Sequence, residues 1–239
     1  MKTLVFQSVL FLHVIAGVIA LVTGLVAMFA PKKGGKLHNV TGLMFYYSMA
    51  FVFVSSVIFF ILEPSSLKYQ FFLAIGVVSF YPIYTGRSVL YMKKQINTGL
   101  FHKSLAVLAV LTGIGMLVYG NLGAAPSQYQ ILFNVFGVIL ILNGLGDVRV
   151  YFGLKPTAKN YWLMAHIGKM LGGYSAALTA FMVNVVPRYL PAHTSMFVFI
   201  AMWTLPAIVL TFYAAFVRKK YSPKVKASPR VKKLELEIA

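Results

Sequence analysis

The sequence predicts an all-α integral membrane bundle of seven transmembrane helices, and three observations carry that prediction. Hydrophobic residues make up 59% of the 239 positions, charged residues 11%, and the mean hydropathy is +0.80; a soluble domain is about half apolar and a quarter charged. Seven apolar runs each come near the roughly 20 helical residues that cross about 30 Å of hydrocarbon. Basic residues gather in alternate connections between those runs, as membrane topology requires.

The runs are taken at 4–30, 39–62, 69–91, 102–120, 130–150, 161–185 and 194–217. The first follows Met1-Lys2 and has the basic start of a secretory leader, but its apolar stretch outruns the roughly 7–15 residues of a leader's core, so it is read as a helix of the mature protein. Breakers or charges close each run: Pro31 to Gly35, Glu63 to Ser66, Lys93 to Gly99, Gly120 to Pro126, Lys155 to Asn160, and Pro187 to Pro191. Short connections make consecutive helices antiparallel neighbours. Pro82 and Pro206 fall inside the third and seventh runs, where kinks are expected. The sixth run, Tyr161 to Asn184, carries His166, Lys169, Met170, Gly173, Ala177, Ala180 and Asn184 on one helical face. Gly168, Gly172, Ser175 and Thr179 lie opposite. Small residues on both faces suit protein neighbours on both sides, so this run is expected to be the central helix.

The connections after runs one, three and five, with the tail, Arg87 and Lys169, collect 19 of the 22 basic residues on one side. The positive-inside rule then sets the N-terminus outside and the C-terminus in the cytoplasm. Residues 1–217 form the transmembrane domain, and 218–239 a basic cytoplasmic tail expected to be disordered and to rest on anionic headgroups. The net charge of +18 arises from only four acidic residues against 22 basic ones. It reports topology and lipid contact, with no nucleic-acid partner. The chain has no cysteine, which excludes disulfides, thiol catalysis, iron-sulfur ligation and covalent haem c.

His38 and His102 open the second and fourth runs, and His166 lies about 8 Å deeper at the start of the sixth, by a rise of 1.5 Å per residue. Asp147 ends the fifth run, Arg87 the third, and Lys169 is a turn beyond His166. All six belong to one cytoplasmic layer. His38, His102 and His166 are also evenly spaced along the chain, the trace expected of a repeated helical hairpin. Three readings of the layer stay open. His38, His102, His166 and Asp147 are a ligand set for a divalent first-row metal. Two of the histidines can clamp haem b, with Arg87 and Lys169 offsetting its propionates; His38 with His102, or either with His166, makes the pair. Or the histidines sit at helix ends in the interface and Asp147 makes a structural ion pair with Arg87, Arg149 or Lys169. A carrier or channel is the alternative from another class, with His13, Lys169 and Asn184 along a path for protons or a small solute; an assembly partner without a site is a third. No hydrolase elbow, dinucleotide fingerprint, Walker loop or zinc-protease motif is present.

Tyr161-Trp162-Leu163, His166-Ile167-Gly168-Lys169-Met170, Gly173-Tyr174, Thr179-Ala180-Phe181 and Trp203-Thr204-Leu205-Pro206 stand in a telling order. With Leu12-His13-Val14-Ile15-Ala16-Gly17, Gly24, Pro31-Lys32-Lys33-Gly34, His38, Thr41-Gly42 and Thr85-Gly86-Arg87, the chain resembles a family of predicted bacterial multi-pass membrane proteins known only as a domain of unknown function. The resemblance implies a helical bundle in a bacterial inner (plasma) membrane and supplies no reaction. Asn39 stands where members carry a basic residue, and Gly173 where they carry serine.

The resulting expectation is a small redox or metal-binding membrane protein with a histidine site near its basic face. Its orientation is directly measurable: a reporter active only when exported, fused at Ser65, is expected to be active, and the same reporter fused at Lys155 silent. The reverse pattern would invert the topology.

Overall fold

In a computed structural model, residues 2–94, 96, 98–122, 127–155, 157–191 and 193–221 are described. They form α1 (Lys2–Phe29), α2 (Lys36–Leu62), α3 (Leu67–Ser88), α4 (Leu100–Asn121), α5 (Ser127–Tyr151), α6 (Tyr161–Val185) and α7 (Met196–Tyr221). Short 3-10 turns, Val89–Met92 and Val186–Tyr189, extend α3 and α6. Seven helices are long and apolar enough to cross a membrane, and no strand occurs among the described residues. The expected runs therefore match the helices to within about one turn. The largest departure is at α7, which carries Arg218, Lys219 and Lys220 in its last turn, where cations suit the negative end of the helix dipole. Residues 222–239, read as a disordered tail, lie outside the described residues. Both Pro82 and Pro206 are inside continuous helices.

Consecutive helices run antiparallel, so the C-terminal ends of α1, α3, α5 and α7 share one end of the bundle with the N-terminal ends of α2, α4 and α6. This is the basic end. Hairpin α1–α2 and hairpin α4–α5 flank a central pair, α3 and α6, and α7 packs on α6. The expectation that α6 alone is central needs correcting. In the most apolar part of α3, 61% of residues are buried, against 17% for α6. The cause lies in α3's surroundings: it touches α2, α5 and α6, and its hydropathy of 1.2 is the lowest of the seven. A helix walled by protein gains nothing from lipid-facing Leu or Ile and can carry Ser79, Tyr81, Thr85 and Gly86 inside.

Small residues set the close approaches. A Cβ on Gly113 of α4 would stand 2.7 Å from the Gly137 carbonyl of α5, and one on Gly137 would stand 2.7 Å from the Gly113 carbonyl. Gly24 of α1 admits the Tyr174 ring of α6, 2.6 Å from where a Cβ would sit, and the Tyr174 hydroxyl donates to the Leu21 carbonyl at 3.0 Å. Gly173 is closed off by Ile83 and the Ser79 carbonyl of α3. The predicted polar face of α6 thus meets α3, while Gly168 on the opposite face meets Arg218 of α7.

Overpacking a tight site costs about 1–3 kcal/mol. Gly137→Val is expected to lower the unfolding free energy in detergent by about that amount. Gly115→Val, where a Cβ meets nothing within 4 Å, is the matched control and should leave it unchanged.

Candidate functional site

The chain's unusual polar residues settle at the basic end in three groups. The first is an ion pair inside the bundle. Asp147, near the end of α5, is 2% exposed, and Lys169 of α6 reaches it with Nζ 2.5 Å from Oδ2. The same ammonium donates to Thr85 Oγ1 of α3 at 2.8 Å, and the Tyr81 hydroxyl donates to Asp147 Oδ2 at 2.7 Å. Thr85 in turn donates to the Tyr81 carbonyl. Burying one charge alone costs several kcal/mol, and partners from three helices are what make the pair tolerable.

The second group is a pair of imidazoles. Where α3 tightens from α to 3-10 after Ser88, the Gly86 carbonyl is available to an outside donor, and His166 Nδ1 lies 2.8 Å from it. At the end of α1, His38 Nδ1 lies 2.9 Å from the Ala27 carbonyl. A carbonyl only accepts, so each Nδ1 carries a hydrogen, which in the neutral form of the ring leaves the lone pair on Nε2. The ring centroids of His38 and His166 are 6.4 Å apart with planes inclined at 74°. Lys33, in the loop before α2, donates to the Met28 carbonyl. Partial burial, and secondarily the nearby Lys220 ammonium, lower the pKa of Lys33 from its ordinary value.

His102 belongs to the third group. It stacks on Tyr84 at 6.2 Å between centroids and meets the Tyr151 ring edge-on at 6.3 Å. Among the described residues, no group of three or more His, Asp or Glu side chains comes together to hold a metal ion. The four-ligand set His38, His102, His166 and Asp147 is therefore not assembled: Lys169 and Tyr81 occupy Asp147, and aromatic rings surround His102. Lys169, expected to offset a cofactor's anionic charge, is engaged with Asp147. Arg87 lies over the Tyr46 ring at 4.6 Å.

The residues expected along a solute path are far apart in the fold. His13 of α1 donates from Nδ1 to Ser55 Oγ of α2 at 2.6 Å, since the Ser55 hydroxyl itself donates to the Val52 carbonyl. Asn184 lines a cleft of about 520 Å³ at the other end of the bundle with Lys68, Tyr129 and Trp203. Lys169 is in the interior at the basic end. Sequence reasoning also missed partners here. Tyr81 and Thr85 complete the ion-pair site, and their place two and one turns before the end of α3 was the available signal. Arg218, packed on the backbone of Gly168, was read only as tail charge.

No family model, curated protein or solved structure matches the chain, an outcome consistent with a resemblance confined to an uncharacterised family.

Removing one member of a buried pair costs about 3–5 kcal/mol because the other charge is stranded. Lys169→Met is expected to destabilise the protein by about that much, and adding Asp147→Asn should restore most of the loss. Chemical unfolding of the single and double variants measures both; additive losses would contradict the geometry.

Proposed function

We propose that the protein is a membrane redox protein that holds haem b between His38 and His166. One observation supports this reading above the others: two imidazoles from different helices stand 6.4 Å apart, each fixed through Nδ1 by a backbone carbonyl. Metal-binding histidines are oriented in this way, with the second nitrogen left for the ion. The two rings stand close enough together that a single haem iron would be held by both. Haem would supply one-electron chemistry when bound; His38 and His166 would hold it, and Arg87 and Arg218, at the same end of the bundle, would offset its anionic groups.

The same reading places the protein in a bacterial inner membrane with the N-terminus outside. The basic end then faces the cytoplasm, and the tail's cations meet anionic headgroups, each contributing about 1 kcal/mol. His102 is a helix-packing residue in this account.

Protein produced with ample haem and purified in detergent is expected to show a Soret band, with sharpened bands after dithionite. His38→Ala and His166→Ala should each abolish that spectrum, and His102→Ala should retain it. Colourless protein from haem-replete cells, or an unchanged spectrum in both axial variants, would overturn the proposal.

A further inference from the structure

Asp147 is the only aspartate in the chain, and the role proposed above does not use it. Polar side chains of three helices reach toward it. α3 contributes Tyr81 and Thr85, α6 contributes Lys169, with Tyr161 within electrostatic reach, and α5 itself contributes Tyr151 one turn further on. Tyr151 is 4% exposed, and its hydroxyl has no hydrogen-bond partner. Buried hydroxyls are rarely left so, and a small polar guest such as water is their usual complement. Tyr151 also stands between the ion pair and the basic end: its ring touches His102, and its carbonyl accepts from Thr98 at the foot of α4.

We propose that Asp147 is an intramembrane proton-exchange site, reached from the basic end through water held at the Tyr151 hydroxyl. A hydronium formed at that end gives up one O–H; the proton passes along the water at Tyr151, and an O–H forms on the Asp147 carboxylate, leaving neutral water behind. Lys169 holds the carboxyl in place, with Tyr81 as its second partner. The site is mechanically joined to the imidazole pair, because consecutive residues of α3 serve the two: Thr85 accepts from Lys169 and Gly86 from His166. The inference does not depend on haem binding.

Having a single aspartate makes the test clean. The full chain, made with carboxyl-labelled aspartate and reconstituted in liposomes, gives one resonance for Asp147 by solid-state NMR. Across a titration from alkaline to acid pH, that resonance is expected to move from the ionised to the protonated position. In Tyr151→Phe, which removes only a hydroxyl without a partner, proton exchange with the solvent should slow by about tenfold, the equivalent of one lost hydrogen bond in the relay. A resonance fixed at the ionised position in folded protein at every pH would make the pair purely structural and overturn the proposal. Exchange at the wild-type rate in Tyr151→Phe would overturn the route through that residue. Neither readout draws on a haem signal, so failure here is separate from failure of the redox reading.

Discussion

The Lys169–Asp147 ion pair joins α5 to the central helices α3 and α6 at a depth where each polar group has to find its partner within the protein. That requirement explains much of the architecture. A carboxylate on α5 can be buried only where an ammonium, a hydroxyl and a phenol converge, so the α4–α5 hairpin is held against α3 and α6 at one register. Close packing of Gly113 on Gly137 joins the two helices of that hairpin without charge. The α1–α2 hairpin is fastened differently, through His38 on the Ala27 carbonyl and Tyr174 on the Leu21 carbonyl. Main-chain carbonyls of α1 supply the acceptors, and side chains of neighbouring helices supply the donors.

Two sites grow out of this framework at the same end of the bundle. One is the pair His38 and His166, whose tautomers are set by main-chain carbonyls; the other is the carboxyl of Asp147 in its cage of donors. The segment Thr85-Gly86 serves both. Gly86 has no room for a side chain, because a Cβ there would lie 2.7 Å from Cβ of Lys169. Glycine at this position lets α6 approach until His166 and Lys169 can reach α3 together.

Much of this was legible in the residues. Apolar runs between breakers gave helix number and limits, because hydrocarbon thickness fixes length. Positions along each run gave the polar layer, since antiparallel helices bring the end of one to the start of the next. What stayed hidden was rotation about each helix axis. Depth alone could not separate His102, which turns toward Tyr84 and Tyr151, from His38, which turns toward His166. Nor could it show that Asp147 meets Lys169 rather than a histidine. The enclosure of α3 was also missed, although its low hydropathy and its run of Ser79, Tyr81, Thr85 and Gly86 carried the signal. In α6 the glycines on two faces admit protein neighbours on both sides, as their spacing implied: Gly173 meets α3 and Gly168 meets Arg218 of α7.

The central proposal is that His38 and His166 together would hold one haem, and electron paramagnetic resonance of the oxidised, haem-replete protein tests it most directly. Were both imidazoles to hold one ferric iron, the signal would be low-spin. The account predicts that signal in the intact chain and its loss when either histidine is replaced. A high-spin ferric signal, or a low-spin one that survives replacement of both His38 and His166, would contradict it.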